Sequence, residues 1–198
     1  MNAPATQCDL FGREHVVREA DDSGEDDSDS WCTDEQIVNI AHRFWPEGIS
    51  LDPCSNRQAL ALGFVRARKA WTIADDCLSF PSWDVEPRTT CWWQPPYSRD
   101  GAPLTAGMVA RWDAGQMHEV LALVKLDTST KAWESMCNRA SSVVLFRDRL
   151  AHVTGGKQYN GSNFCSAMLL MTRADPKARH RALEAAVGDL GWVYRQER

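Results

Sequence analysis

The sequence predicts an α/β fold: a mostly parallel sheet with helices on both faces and an antiparallel C-terminal strand. Short apolar runs alternate with helical patterns, turn and capping residues separate them, and no segment repeats. With 198 residues the chain is long enough for one domain with a substantial core. We therefore expect a single domain over residues 31–198, after a disordered acidic tail over residues 1–30.

The predicted helices share capping or breaking residues at their ends. In the first of them, Thr33 and Gln36 have the spacing of a capping box, and Pro46 with Gly48 ends the helix. Pro176 suits the first turn of the last helix. The predicted helices cover residues 34–45, 56–64, 104–113, 131–138 and 176–187. The predicted strands cover residues 49–52, 70–73, 89–93, 119–126, 142–146, 165–171 and 192–194.

Charge is distributed unevenly along the chain. Residues 1–30 hold nine acidic and two basic residues, a net charge of −7, while residues 31–198 hold 20 basic and 18 acidic residues, a net charge of +2. The acidic run cannot bury apolar surface, which predicts disorder. The formal charge of −5 is thus an effect of the tail and does not exclude a nucleic acid as partner of the folded part.

The cysteine pattern indicates a reducing compartment, and the hydropathy indicates that no segment spans a membrane. Seven cysteines are scattered without a C-x-x-C pair, so we expect neither a metal site nor a redox pair. No run of 18 apolar residues and no apolar signal segment occurs. We therefore expect a cytoplasmic protein without a membrane span, and the host cytoplasm if a phage encodes it.

A polar and aromatic turn follows the predicted strand 89–93. Gln94 presents an amide where the strand ends, Pro95 and Pro96 fix a rigid turn, and Tyr97 adds a ring. In open α/β sheets ligands bind at the carboxyl ends of strands. This turn is therefore a candidate site for a flat ligand.

Acidic residues follow two other predicted strands. Asp52, Pro53 and Cys54 end the first strand, where Asp52 either meets a ligand or forms a turn that caps the next helix. Asp75 and Asp76 follow the second strand, and either could accept a hydrogen bond from a ribose or an amine, or could lie in a solvated turn. Without a glycine-rich phosphate fingerprint, the pattern fits a ligand that lacks phosphate.

The order and spacing of these motifs resemble the phage-type DNA N6-adenine methyltransferases. The resemblance extends over residues 31–172, and the motifs are specific through their order. They are Trp31-Cys-Thr, Leu51-Asp-Pro-Cys-Ser, Asp76-Cys-Leu with Trp83, Trp92–Ser98, Leu123–Thr130 with Trp133, and Phe146-Arg-Asp-Arg-Leu150.

The resemblance implies a Rossmann-like methyltransferase fold, S-adenosylmethionine as cofactor and double-stranded DNA as partner. Asp52, beside Pro53 and Cys54, would lie near the methionine amino group, and Asp76 near the cofactor adenine. The side-chain oxygen at position 94 and the carbonyl of Pro95 would accept the two hydrogens of the adenine N6, with Pro96 fixing the turn. Tyr97 would stack on a base flipped out of the duplex.

Gln94 departs from the family pattern, which has Asn or Asp at this position. Glutamine carries the same amide oxygen one methylene further from the backbone, which matters in a site with a tolerance of about 0.5 Å. A catalytically weak relative that binds DNA or cofactor therefore stays open as an alternative. Methylation of cytosine N4 is another, because that amine is of the same kind. A protein-interaction module driven by the acidic tail is a third hypothesis.

Basic residues around the predicted site suggest contacts with DNA. Lys125 ends a buried strand, and Arg147, Arg149 and Lys157 lie in the polar, glycine-rich segment 147–163, whose residue types suit phosphate and base edges. A solvated hairpin is the alternative interpretation of this segment. None of the five histidines is assigned a role.

Overall fold

The computed structural model describes residues 6–8, 14–16, 32–97, 101–154, 157–159 and 164–197, with residues 6–8, 14–16, 154 and 157–159 described by their backbone only. The helices are α1 Glu35–Phe44, α2 Arg57–Leu62, α3 Gly101–Asp113, α4 Lys131–Cys137 and α5 Pro176–Val187. The strands are β1 Thr6–Cys8, β2 Glu14–Val16, β3 Cys32–Thr33, β4 Leu51–Asp52, β5 Lys69–Ala70, β6 Thr90–Trp93, β7 Glu119–Lys125, β8 Ser142–Phe146, β9 His152–Thr154, β10 Lys157–Tyr159, β11 Ser166–Thr172 and β12 Gly191–Arg195.

A seven-stranded mixed sheet organises the chain, with the strand order β12-β8-β11-β7-β6-β4-β5. The strands β5, β4, β6 and β7 are parallel neighbours. β11 lies antiparallel between β7 and β8, so β8 points in the same direction as β7. β12 pairs antiparallel with β8, as expected for the C-terminal strand, whereas the sequence pattern did not indicate the direction of β11.

Each face of the sheet carries its own core, because successive strand residues point to opposite faces. Trp92 of β6 packs in one core with side chains of α1 and α5, while its neighbours Cys91 and Trp93 pack in the other with side chains of α3 and α4. Helices therefore cover both faces, and the predicted α/β fold is confirmed, although the antiparallel β11 makes the sheet more mixed than the mostly parallel sheet that was predicted. Among the described helices, the longest has 13 residues, and none could cross a membrane.

Several predicted element ends are wrong, among them the start of α3, which lies at Gly101 and not at residue 104. Asp34, not Thr33, caps α1 by accepting a hydrogen bond from the Gln36 amide at 2.8 Å, because Thr33 is engaged as a strand residue of β3. The predicted strand 70–73 ends at Ala70, and a short helical turn, Ile73–Asp75, follows. The Asp75 carboxylate accepts from the Thr72 amide and hydroxyl, which favours the turn over an extended strand.

Two small antiparallel sheets accompany the main sheet. β9 pairs with β10 on one side and with β3 on the other, which joins the start of the predicted domain to the segment after β8. The described part of that segment is a hairpin. β1 and β2 pair with each other. The acidic run 19–30 lies outside the described residues, so disorder of the tail stays a prediction.

A buried ion pair fixes the amino end of β7. The Glu119 carboxylate accepts hydrogen bonds from the Trp45 indole (2.8 Å), the Thr172 hydroxyl (2.6 Å) and two nitrogens of Arg179 (2.7 Å each). The Arg179 guanidinium also lies 3.9 Å from the centroid of the Phe44 ring. This cluster, which we call the Glu119 clamp, joins α1 and α5 to the edge of the sheet opposite the candidate site.

Candidate active site

The predicted ligand-binding residues meet where β4 and β6 end. These two strands are parallel neighbours, with Leu51 opposite Cys91, so Asp52 and Gln94 follow at the same edge of the sheet. The strand order also reverses here, because the chain continues from β4 to β5 on one side and places β6 on the other. Such a reversal opens a crevice above the carboxyl ends of the two strands.

Asp52 is a buried acid with few partners. Its side chain is 3% exposed and accepts a hydrogen bond from the Cys54 amide at 3.3 Å. Burial raises its pKa to about 7, and hydrogen bonds from the Cys54 backbone and the Ser55 side chain oppose that rise only in part. The predicted turn is thus present, but Asn56, not Asp52, caps the next helix by accepting a hydrogen bond from the Ala59 amide at 2.7 Å. The turn leaves a carboxyl group that a cationic ligand group would ionise.

Three thiols lie around this acid. A hydrogen bond with Cys77, together with burial, raises the pKa of the Cys54 thiol well above its usual range. Burial does the same for Cys91, and the Asp52 charge adds to the rise. Cys54 and Cys91 are therefore neutral thiols, whereas the hydrogen bond with Cys54 lowers the pKa of Cys77. Pro53 is buried as well.

The raised pKa of Asp52 predicts a pH-dependent effect of Asp52→Asn on stability. Because the folded state favours the protonated acid, the contribution of Asp52 is full below pH 4, its ordinary range, and is lost as the pH rises to about 7. We expect wild type and variant to have similar unfolding free energies at pH 4 and the variant to be more stable at pH 8, by on the order of 4 kcal/mol. Urea denaturation of both proteins across this range measures the difference, and a difference independent of pH would contradict the assignment.

Asp76 lies beyond the end of β5 in a strained turn. Its φ angle is 46°, in the left-handed region, and its carboxylate accepts a hydrogen bond from the Leu78 amide at 3.2 Å. Both acids are exposed, and the Asp75 carboxylate accepts hydrogen bonds from the Thr72 amide and hydroxyl.

The turn after β6 packs tightly against α3. Pro95 is buried, while Gln94, Pro96 and Tyr97 are half-buried. A Cβ atom built on Gly101, the first residue of α3, would overlap the carbonyl oxygen of Pro96. The close approach of helix and turn therefore requires glycine at position 101, a dependence that the sequence pattern did not indicate.

Tyr97 contacts an aromatic ring that sequence reasoning missed. The Phe164 ring lies 5.0 Å from the Tyr97 ring at 82°, an edge-to-face contact. Burial raises the pKa of the Tyr97 phenol well above its usual range, and the neighbouring Ser166 hydroxyl opposes the rise in part. Lys125 ends β7 opposite Ser166, and its ammonium nitrogen lies 5.8 Å from the Phe164 centroid.

His152 completes this cluster from the small sheet. It is 3% exposed, its ring lies 5.9 Å from that of Phe164, and burial lowers its pKa. The antiparallel direction of β11 brings Phe164 to this edge, and the pairing of β9 with β3 in the small sheet places His152. An aromatic residue just before a strand lies at the carboxyl edge only if that strand runs against its neighbours, and the sequence does not reveal that direction.

The residues predicted to contact DNA are spread along the same edge. Arg147 and Arg149 are exposed and follow β8, and Lys125 is exposed at the end of β7. Lys157 is described by its backbone only, so its side chain lies outside the described residues. Within the described part of the chain, no group of three or more His, Cys, Asp or Glu side chains is arranged to hold a metal ion.

Comparison with known proteins identifies the family of the chain. The family model described as DNA N-6-adenine-methyltransferase (Dam) matches residues 22–186, which include every strand of the crevice. No curated protein matches the chain. Since the match covers more than four fifths of the sequence, the chain belongs to the DNA N-6-adenine-methyltransferase (Dam) family and is an enzyme that transfers a methyl group from S-adenosylmethionine to the N6 of adenine in DNA.

Proposed function

We propose that the crevice between β4 and β6 is the methylation site, with the cofactor on the β4 side and a flipped adenine of duplex DNA on the β6 side. The observation that carries this proposal is the reversal of strand order between Asp52 and Gln94, because a crevice at that point serves ligand binding in α/β sheets. The same reversal supports a Rossmann-like arrangement of the sheet.

The residues on the β4 side fit S-adenosylmethionine. When bound, the cofactor supplies a methyl group activated on a sulfonium. Asp52 would bind the methionine ammonium group, since a buried carboxyl group with a raised pKa gains a counter-ion there. Asp76 would accept a hydrogen bond from the adenosine part, and Pro53 and Cys54 would shape the wall. We expect Asp52→Asn to weaken cofactor binding even as it stabilises the protein at pH 8.

On the β6 side, Gln94 and Pro95 would orient the adenine amine. The lone pair of N6 is delocalised into the ring, so the amine is a poor nucleophile until both of its hydrogens are held. The Gln94 amide oxygen and the Pro95 carbonyl oxygen would accept one hydrogen each and direct the lone pair out of the ring plane. This contribution is orientation and electrostatic preorganisation.

Tyr97 would stack on the flipped base, and Phe164 would support it. The edge-to-face contact with Phe164 fixes the orientation of the Tyr97 ring, and the phenol oxygen is buried beside Ser166. A base extruded from the duplex loses its stacking neighbours, and an aromatic face replaces them at about 1–3 kcal/mol per base.

The proposal predicts opposite effects of two substitutions in this turn. We expect Tyr97→Ala to lower kcat/KM about 10- to 100-fold through lost stacking, whereas Tyr97→Phe retains most activity because the ring stays. Gln94→Asn should keep or raise turnover, since it restores the shorter side chain that the family pattern has. Single-turnover methylation of one duplex measures all three, and a fully active Tyr97→Ala protein would remove the stacking argument.

Incubation of duplex DNA with methyl-labelled cofactor, followed by mass spectrometry of the nucleosides, tests the target atom. Labelled N6-methyladenine is the expected product. Labelled N4-methylcytosine would move the target to cytosine, and DNA binding without label would indicate a weak relative limited by Gln94. Single-stranded DNA of the same sequence is the control for the duplex preference.

A further inference from the structure

An arginine and a tryptophan form an exposed pair at the end of the sheet. The Arg147 guanidinium carbon lies 4.4 Å from the centroid of the Trp192 ring, within the range of a cation–π contact. Trp192 is 47% exposed, although tryptophan is highly buried on average. Arg147 is exposed as well, so the pair stands in solvent.

The backbone holds the pair in place. β12 pairs antiparallel with β8, with Gly191 opposite Phe146 and Trp192 opposite Leu145. The Arg147 amide donates to the Leu190 carbonyl at 3.0 Å. A Cβ atom on Gly191 would lie 2.7 Å from the Leu145 carbonyl oxygen, so glycine permits this close approach of the two strands.

The pair lies at the same edge as the methylation site. β8 points in the same direction as β7, so Arg147 leaves the sheet at the edge where Lys125 and Gln94 also lie. β8 is three strands from β6 in the sheet, a distance of about 14 Å at the usual strand spacing. That distance is close to the width of a major groove, roughly 12 Å. Arg147 could therefore contact the DNA backbone across one groove from the flipped base.

We propose that Arg147 contacts a DNA phosphate beside the target base and that Trp192 positions its guanidinium for that contact. The inference rests on the proposed binding of duplex DNA at this edge. A guanidinium stacked on a ring is held in a fixed plane, while its N–H groups, which point outward in that plane, stay available for phosphate oxygens. Trp192 is thus a positioning residue, and DNA is the partner because the exposed charge on the pair is positive.

Equilibrium binding of a duplex in the absence of turnover tests the proposal, with affinity measured at several salt concentrations. We expect Arg147→Ala to weaken binding about tenfold and to reduce the slope of log affinity against log salt by about 0.9, the loss of one phosphate contact. Trp192→Ala should weaken binding about threefold, and Trp192→Phe should retain most of the wild-type affinity.

Tyr194→Ala is the matched control, because Tyr194 is exposed to a similar extent and lies on the same face of β12 two residues further along. It should leave DNA affinity and its salt dependence unchanged. The double variant of Arg147 and Trp192 should bind no more weakly than Arg147→Ala alone, because Trp192 acts through the arginine.

Three results would overturn the proposal: unchanged affinity in Trp192→Ala, fully additive losses in the double variant, or a change in sedimentation that reveals contact with a second copy. Thermal unfolding of each variant separates these results from misfolding. If the wild-type protein binds DNA with this salt dependence but leaves the DNA unmethylated, the proposed methylation site is contradicted and the arginine contact is not.

Discussion

Gly101→Ala is expected to lower methylation turnover about a hundredfold while the protein stays folded. The added methyl group would overlap the Pro96 carbonyl oxygen, so the turn that carries Gln94 and Tyr97 must shift. Displacement of a reacting group by about 1 Å can cost 10²-fold in rate. The same substitution favours the helix by about 1 kcal/mol, so instability of α3 does not explain a loss of activity.

Gly107→Ala in the same helix is the matched control. Its new methyl group would meet the end of the flexible Leu78 side chain, which can rotate away, whereas the backbone at Pro96 cannot. Turnover, the KM for DNA and the melting temperature of both variants separate the two cases. Equal activity in both would mean that the turn accommodates the methyl group and that its position is not critical.

Glu119→Ala is expected to lower the free energy of unfolding by about 3–5 kcal/mol. The substitution leaves the Arg179 charge and the Trp45 indole N–H without their carboxylate partner in a buried place. For a domain of this size the loss corresponds to a fall in Tm of about 10 °C. Glu119→Gln, which keeps the shape and one acceptor, should cost less.

Asp113→Ala provides the comparison for an exposed ion pair. Asp113 pairs with Arg139 at 2.6 Å, but its side chain is 49% exposed, so solvent screens the interaction. We expect a cost below about 1 kcal/mol. Urea denaturation of the two variants tests the ranking. Similar costs for Asp113→Ala and Glu119→Ala would show that the clamp is not a principal source of stability.

Periodicity and turn chemistry predicted much of the fold because they are local. The apolar run at residues 119–126 and the Pro-Pro turn after residue 93 identify β7 and the candidate turn without reference to the rest of the chain. The direction of β11, in contrast, depends on which neighbours it meets, and no local pattern encodes it. The short β5 has a different, local origin, because the capping box of Thr72 and Asp75 competes with a weak strand pattern.

The predicted site residues were those that follow parallel strands, where sequence position and spatial position agree. Phe164, Ser166 and His152 come from an antiparallel strand and a separate small sheet, so their proximity to Tyr97 is a product of tertiary pairing. Gly101 was missed for another reason. Gly101 matters because it has no Cβ atom, and the short distance from that position to the Pro96 carbonyl oxygen depends on how α3 packs against the turn.

The Glu119 clamp and the crevice lie at opposite edges of one sheet, and this separation bears on how the protein can change over evolutionary time. The clamp joins α1, α5 and the beginning of β7 without using any residue of the crevice. A substitution at the carboxyl edge therefore draws little on the stability that the clamp provides. The chain could thus acquire glutamine at position 94 and explore new substrates while its scaffold persisted.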